Sequence, residues 1–222
     1  MKISHSLLCI TIILTLLVST GCSKKSDSAT AIKYQLQTTN RSAVIARTVA
    51  GNLQWTSGYG SATEVKFEAK MNNNEIEYES KTAQKLDLFS AITTLGTVSL
   101  VPGTYTEAEF EVELNPTGTD AALELNGEYT SNGITTPVIF RVNTPLELKN
   151  EKSNVTVLDN NSYKALTTIN LALLTKGVTE AMLNAAVSTN GSILITASIN
   201  SNIYDILLNN LQDSDEVDFE HD

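Results

Sequence analysis

Apolar and polar residues alternate with a period of two along most of the chain beyond residue 32. The alternation is clearest at 64–71 (EVKFEAKM) and 107–114 (EAEFEVEL), where charged residues separate the apolar ones. This spacing predicts strands with one buried face and one solvated face. Weaker versions of the pattern predict further strands at 34–37, 52–56, 75–79, 123–125, 137–142, 146–148, 166–174 and 193–199.

Turn-forming residues separate the predicted strands. Asn72, Asn73 and Asn74 lie between two alternating segments and predict a hairpin loop. The other breaks contain proline or glycine and lie at 102–103, 116–118, 126–127 and 132–133. About eight to ten short strands separated in this way predict an all-β protein built as a single antiparallel β-sandwich.

The C-terminal part of the chain has a different pattern. Residues 178–187 and 201–211 place apolar residues at helical spacing, which predicts two short helices that cap the open end of the sandwich. The last ten residues contain six of the 25 acidic residues, which is too much charge to bury. We therefore expect a folded domain over 32–212 and a disordered acidic tail over 213–222.

Residues 1–21 have the features of a signal peptide. Lys2 supplies a positive charge, and the apolar stretch at 7–18 is too short to span a bilayer as a helix. The sequence STGC at 19–22 resembles a bacterial lipobox, in which a diacylglycerol is attached to the cysteine thiol before cleavage makes that cysteine the first residue. The resemblance implies lipidation at Cys22; an ordinary secretory signal cleaved nearby is the alternative.

Residues 22–31 are mostly small and polar and predict a flexible linker between the lipidated Cys22 and the domain. Within the linker, DSA at 27–29 resembles a bacterial O-glycosylation signal, which implies a sugar on Ser28; a plain polar linker is the alternative. Ser23 stands where enteric lipoproteins retained at the inner membrane carry an aspartate. We therefore expect the lipid on Cys22 to attach the protein to a membrane. The expected location is the cell outer membrane, with the periplasmic or surface leaflet undecided.

Charge and residue inventory argue against several classes of function. A net charge of -10 argues against nucleic acid as a partner. The two histidines, His5 and His221, lie in the signal peptide and the acidic tail, and the two cysteines are Cys9 and Cys22. The body therefore lacks the imidazole or thiolate of a catalytic triad or zinc site, and no phosphate-binding glycine loop occurs. We expect no enzymatic activity, no catalytic residues, no metal and no cofactor.

Four glutamates alternate along one predicted strand: Glu107, Glu109, Glu111 and Glu113. Neighbouring carboxylates on one strand lie about 7 Å apart, and a solvated surface does not divide them into an acid and a base. We interpret the row as a solvated face with cross-strand partners Lys66, Lys70 and Lys81. A weak cation site and a carboxylate-dependent glycan hydrolase are the alternatives.

Four aromatic residues are candidates for a glycan-stacking platform: Trp55, Tyr59, Tyr105 and Tyr129. Trp55 lies in a strand-like segment on the face opposite to its polar neighbours, and Tyr105 stands at the start of a strand after a glycine. Both positions favour the core. A glycan-binding module is therefore an alternative function, not the main expectation.

Three motifs carry a family resemblance: VKFEA at 65–69, LDL at 86–88 and VPGTYTE at 101–107. They resemble an uncharacterised family of bacterial lipoproteins with a transthyretin-like or immunoglobulin-like β-sandwich and no assigned activity. The resemblance covers roughly residues 50–150. It implies a lipid-anchored, non-enzymatic cell-envelope protein, a binding or structural accessory whose partner is an envelope protein or a glycan.

The same family is similar in architecture to lipoprotein-derived pilins, whose precursors are cut after an arginine and polymerise by exchanging a β-strand. Arg41 and Arg47 lie between the predicted strands 34–37 and 52–56. Cutting there would remove the first strand and open a sheet edge. The likeness implies proteolytic processing and a fimbrial subunit as an alternative function, although such pilins usually carry two domains.

Overall fold

The computed structural model describes residues 29–39, 42–44, 52–72, 74–90, 92–159, 161–213 and 215–221. The predicted signal peptide, Cys22, Ser28, Arg41 and Arg47 lie outside these residues. The strands are β1 (Thr30–Thr39), β2 (Ser42–Val44), β3 (Asn52–Met71), β4 (Asn74–Ser80), β5 (Gln84–Asp87), β6 (Thr93–Leu100), β7 (Gly103–Leu114), β8 (Leu123–Ser131), β9 (Ile134–Val142), β10 (Leu146–Val157), β11 (Tyr163–Asn170), β12 (Ser188–Thr189), β13 (Ser192–Ile195) and β14 (Asp215–His221). The helices are α1 (Leu171–Leu174), α2 (Glu180–Asn184) and α3 (Ser201–Asp213), and none of them is long and apolar enough to cross a membrane.

The strands form two sheets, which confirms the all-β class. The small sheet has the order β14-β11-β1-β6, and the large sheet has the order β10-β7-β3-β8-β9-β13-β12, with β2, β4 and β5 also paired to β3. The sheets face each other, because the Tyr34 ring of β1 lies 5.0 Å from Phe110 of β7 and 6.1 Å from Tyr78 of β4. Burial of the apolar side chains between them drives this packing.

Strand β3 is the longest element and joins two parts of the large sheet. Residues 52–60 pair with β8, whereas residues 62–70 pair with β7. The sequence pattern predicted separate strands at 52–56 and 64–71, and this division was wrong. The irregular stretch between them contains two one-residue shifts in register, after Trp55 and after Ala62, instead of a turn. Each shift moves the alternating side chains to the opposite face of the strand, and the second shift reverses the first. Trp55 and Phe67 therefore both face the core.

The second part of the large sheet is covered by the C-terminal helix. The Tyr204 ring of α3 lies 5.8 Å from Phe140 of β9, and Leu207 and Leu211 are buried in the same core. Helix α3 agrees with the helix predicted at 201–211, whereas α2 is shorter than the predicted 178–187. Helix α1 was not predicted.

The sheets are not purely antiparallel, which corrects the sequence-based prediction. Strand β1 pairs with β11 in parallel, and β13 pairs with β9 in parallel. In each pair the strands are far apart in sequence, so their relative direction depends on long connections that contain helices or many other strands. Local alternation of apolar residues carries no information on that direction.

The strand predicted at 166–174 is shorter at its C-terminal end than expected. Strand β11 ends at Asn170, whose side-chain oxygen accepts hydrogen bonds from the backbone N–H groups of Ala172 and Leu173. This is an N-cap, and it starts helix α1 within the predicted strand.

Two turn predictions had opposite outcomes. Asn132 and Gly133 form the turn between β8 and β9, with φ values of 51° and 78°, as expected for a tight hairpin. Asn126 and Gly127, also predicted as a break, lie inside β8. A Cβ atom on Gly127 would lie 2.7 Å from the Gln54 oxygen and 2.9 Å from Trp55 Cε3. The glycine is there because β3 approaches closely at its bulge.

The acidic tail is also ordered, contrary to the prediction of disorder over 213–222. Residues 215–221 form β14, which pairs with β11 in antiparallel register from Tyr163↔His221 to Ile169↔Asp215. The total charge obscured the period-two pattern of this segment, in which Val217 and Phe219 alternate with acidic residues.

Candidate functional site: the outer face of the large sheet

The outer face of the large sheet contains two neighbouring zones of polar side chains along β3. We call the first zone the carboxylate ladder; its members are Glu64, Lys66, Lys70, Glu107, Glu109, Glu111, Glu113 and Lys149. We call the second zone the Tyr59 basin; its members are Ser57, Gly58, Tyr59, Lys85, Asp87 and Asn126, which line a cavity of about 440 Å³.

Strand register builds the ladder. Lys66 of β3 lies opposite Glu111 of β7, and its Nζ is 2.9 Å from Glu111, 3.0 Å from Glu113 and 3.2 Å from Glu64. Hydrogen bonds to Glu111 and then Glu113 raise the pKa of Lys66 above its usual range. One ammonium group is therefore shared by three carboxylates.

The other lysines of the ladder are paired in the same way. Lys70 lies 2.7 Å from Glu107, and Lys149 of β10 lies 2.6 Å from Glu109. The hydrogen bonds to these glutamates raise the pKa of Lys70 and of Lys149. Lys81 contacts Glu79 and lies 3.7 Å from Glu64. The structure thus confirms Lys66 and Lys70 as cross-strand partners of the glutamate row. The prediction was wrong for Lys81, whose ion pairs are with Glu79 and Glu64 instead of the four glutamates of that row, and it missed Lys149.

The ladder is less exposed than the sequence suggested. The side chains of Glu109 and Glu111 are only 13% and 11% exposed, because β7 lies between β3 and β10 and the long side chains of both neighbours cover it. The prediction of a fully solvated face was therefore wrong for the central strand. Charges in this position depend more strongly on their partners than charges on an open surface.

Two glutamates of the cation site considered from the sequence, Glu107 and Glu109, form a group with Glu151, in which carboxylate oxygens lie within 4.8 Å of one another. Two of them already contact an ammonium group, that of Lys70 or Lys149. A calcium ion prefers six to eight oxygen ligands. It would have to displace the lysines to bind here.

The Tyr59 basin is formed by strands β5, β3 and β8. Tyr59 lies opposite Asp87 of β5 and Glu124 of β8, and the ring is half-buried. The Lys85 Nζ lies 3.7 Å from the ring centroid and 2.9 Å from Asp120 Oδ1, and the hydrogen bond to Asp120 raises the pKa of Lys85. The Tyr59 hydroxyl accepts a hydrogen bond from the Ala121 backbone N–H at 3.3 Å.

The polar groups around the ring are held in place by hydrogen bonds. Asp87 Oδ1 accepts a hydrogen bond from the Phe89 backbone N–H at 2.8 Å. Glu124 accepts hydrogen bonds from Arg141 Nε at 2.8 Å and from Asn126 Nδ2 at 3.3 Å. These contacts fix a carboxylate on β5 and an amide on β8, the two strands that flank this part of β3.

Gly58 lets β3 approach β8 closely beside the basin. A Cβ atom at this position would lie 2.8 Å from the Glu124 backbone oxygen and 2.5 Å from Leu125 Cδ2. Only glycine lets β3 approach β8 this closely.

The other aromatic candidates lie elsewhere. Trp55, Tyr105 and Tyr129 are buried in the core, which confirms the core placement predicted for Trp55 and Tyr105. The Tyr105 hydroxyl donates to the Val101 oxygen at 2.9 Å, and the Tyr129 hydroxyl donates to Asn184 Oδ1 at 3.0 Å. Tyr59 therefore has no stacking partner among these three residues.

Comparisons with known proteins found no relative. The chain matches no protein-family model, no curated protein and no solved structure.

Proposed function

We propose that the protein is a lipid-anchored, non-enzymatic domain of the bacterial cell envelope, a binding or structural accessory tethered at the outer membrane through Cys22. The observation that supports this proposal is the position of the first described strand. Strand β1 begins at Thr30, eight residues after Cys22. Eight extended residues span at most about 28 Å, so the lipid would hold the domain close to the bilayer.

The tether would also orient the domain. Thr30 pairs with Leu100, and its hydroxyl donates to the Leu158 oxygen, so this end would face the membrane. The same end contains Gly103, the first residue of β7, which pairs with Val157. The Tyr59 basin lies near the other end of β7, because Gly60 and Ala62 pack against Leu114. The basin would therefore point away from the bilayer, where a partner has access.

The ladder supports a non-enzymatic role for the carboxylates. The acid of a glycosidase is kept protonated in an apolar pocket, apart from its carboxylate partner. In the ladder Glu107, Glu109 and Glu111 each contact a lysine ammonium group, and this arrangement stabilises charge. We also propose that the two facing sheets form a sandwich of the immunoglobulin-like or transthyretin-like kind, modified by the parallel pairs.

Metabolic labelling tests the anchor. Cells that express the protein are grown with an alkyne-tagged fatty acid, and three forms are compared: wild type, Cys22→Ala and Cys9→Ala. We expect label on the wild type and on Cys9→Ala, because Cys9 leaves with the signal peptide, and no label on Cys22→Ala. Unlabelled wild-type protein in the soluble fraction would refute the anchor.

A strand-exchange subunit is a second candidate function, favoured by the position of β1. This strand lies inside the small sheet between β6 and β11, and Ile32, Tyr34 and Leu36 on it are buried. Its connection to β3 includes Arg41 and Arg47. Cleavage in that connection would leave β1 held without a covalent link, in a groove that a strand of another copy could fill.

Gel analysis of envelope fractions separates the two candidates. Boiled and unboiled samples of wild type and of the double variant Arg41→Ala/Arg47→Ala are compared. A regular series of high-mass bands that disappears on boiling and is absent in the double variant would support strand exchange. A single band near the lipidated mature mass in both lanes would exclude it.

A further inference from the structure

We propose that the Tyr59 basin binds an uncharged sugar ring of a glycan, and that Lys85 covers the ring of Tyr59 until the ligand displaces it. The inference rests on the proposed binding function and names its site and ligand class. Neither the lipid anchor nor the family resemblance assigns any role to these residues.

The shape of the basin fits a small ligand. Its volume of about 440 Å³ lies within the range typical of small-molecule sites. The half-buried ring of Tyr59 lines the cavity, and the Lys85 ammonium group covers one face of that ring at 3.7 Å from its centroid. An aromatic face provides an apolar surface for the C–H groups of a sugar.

The polar groups of the basin suit hydroxyl recognition. A sugar hydroxyl both donates and accepts a hydrogen bond, so a site needs carboxylate, amide and hydroxyl groups together. Asp87 supplies a carboxylate, Asn126 an amide and Ser57 a hydroxyl, and all three line the cavity. The contacts of Asp87 with Phe89 and of Asn126 with Glu124 limit their rotation before a ligand arrives.

Charge around the ring favours an uncharged ligand. Three carboxylates, those of Asp87, Asp120 and Glu124, surround Tyr59, against the two cations Lys85 and Arg141. The excess negative charge opposes an anionic sugar. A cationic ligand would have to compete with the Lys85 ammonium group, which already occupies the ring face as part of the same chain.

Lys85 is placed to act as a displaceable cover. Its side chain is 52% exposed, and cation–π contacts and ion pairs at exposed sites are individually weak. A sugar that stacks on Tyr59 would move Lys85 aside while leaving Asp120 accessible to solvent. This arrangement predicts opposite effects for two neighbouring substitutions: loss of the ring weakens binding, and loss of the lysine strengthens it.

Isothermal titration of the full mature protein in detergent micelles tests the inference. The probes are cellohexaose, maltohexaose, xylohexaose and mannohexaose, with hexagalacturonate as the anionic counterpart. We expect at least one neutral probe to bind, with affinity lowered tenfold or more by Tyr59→Ala and raised about three- to tenfold by Lys85→Ala. Lys81→Ala, which removes a comparably exposed lysine on another part of the face, should leave the affinity unchanged.

Two further variants keep the test independent of folding. Tyr59→Phe retains the ring and should retain binding, and Asn126→Ala should weaken binding in a protein with wild-type circular dichroism. Failure of every neutral probe to bind wild type and Lys85→Ala would overturn the inference. Binding that is insensitive to Tyr59→Ala, or a preference for hexagalacturonate, would also overturn it. If fatty-acid label on Cys22 persists in that case, only the glycan site is refuted and the anchor stands.

Discussion

Two stretches of β3 share the outer face of the large sheet, and they differ in how their charges are satisfied. In the carboxylate ladder, Lys66 contacts three glutamates, and the central glutamates are almost covered. In the Tyr59 basin, polar side chains surround an open concavity, and the cation on the ring is half exposed. The ladder thus holds strands together, whereas the basin has room and polar groups for a partner.

The difference has a backbone origin. In the ladder, β3 is in regular register with β7, so long side chains of opposite charge meet across the strands. Near the basin, the register shifts after Trp55, and Gly58 brings β3 close to β8. The bulge re-aims the side chains that follow it. Substitutions can test each part of this explanation separately.

The largest effect is expected from a side chain at the bulge itself. In Gly127→Ala the new Cβ would lie 2.7 Å from the Gln54 backbone oxygen, which cannot move without loss of β3–β8 pairing. We expect the free energy of unfolding to fall by about 2–3 kcal/mol in urea denaturation. Gly60→Ala is the matched control, because its Cβ would lie 3.3 Å from the Leu114 methyl groups and 3.9 Å from the Ala122 backbone oxygen, an ordinary contact distance. An equal cost for both substitutions would contradict the account of the bulge.

The next largest effect is expected in the ladder. Lys66→Met removes the cation that Glu64, Glu111 and Glu113 share and leaves their charges partly buried. We expect a loss of about 2 kcal/mol in the free energy of unfolding. Lys81→Met, at a side chain that is mostly exposed, should cost less than about 0.5 kcal/mol. The ladder would not be a stabilising element if the two variants unfolded at the same urea concentration.

A smaller effect is expected from alkaline pH. The pKa of Lys66 is raised above its ordinary value of 10.5 in the folded protein, so folding favours the protonated lysine. Its contribution is fully present below that ordinary value and is lost as pH rises through the higher folded value. The stability difference between wild type and Lys66→Met should therefore stay constant from pH 7 to 10 and shrink above 10.5. A difference that shrinks between pH 7 and 9 would contradict this assignment.

The smallest effect is expected at Trp55, the single tryptophan of the chain. Its side chain is buried on the core side of β3, whereas the Tyr59 basin lies on the outer face. We expect blue-shifted emission that acrylamide quenches poorly and that neutral oligosaccharides do not change. A sugar-dependent shift of the emission would place a ligand in contact with Trp55 and would argue against the basin as the site.

Sequence patterns located most strands because alternation is a local property. The same alternation placed Lys66 and Lys70 on the face of the glutamates, so their ion pairs followed from the sequence, whereas the pair of Lys149 with Glu109 did not. Parallel pairing of β1 with β11 did not follow, because it joins residues about 130 positions apart, as in Ile32↔Tyr163. Strand β14 was not predicted, because the high negative charge of 215–221 indicated disorder more strongly than the alternation of Val217 and Phe219 indicated a strand.

The Tyr59 basin could be predicted only in part. Tyr59 was a candidate for glycan stacking because it is aromatic. Asp87 was named only as part of the LDL motif at 86–88, which carries the family resemblance. Lys85 and Asn126 gave no signal, because the basin combines three strands whose register depends on a bulge. The close approach of β3 to β8 beside it requires Gly58, which had no predicted role, and Gly127, which was predicted as part of a break.

The most direct test of the proposed function is mass spectrometry of the N-terminal peptide of the protein purified from native membranes. The account predicts a peptide that begins at Cys22 and carries a diacylglycerol on its sulfur. A peptide that begins after Arg41 or Arg47 would instead indicate the processed, strand-exchanging subunit. A peptide that contains Cys22 with a free thiol would contradict lipid anchoring and the membrane orientation built on it.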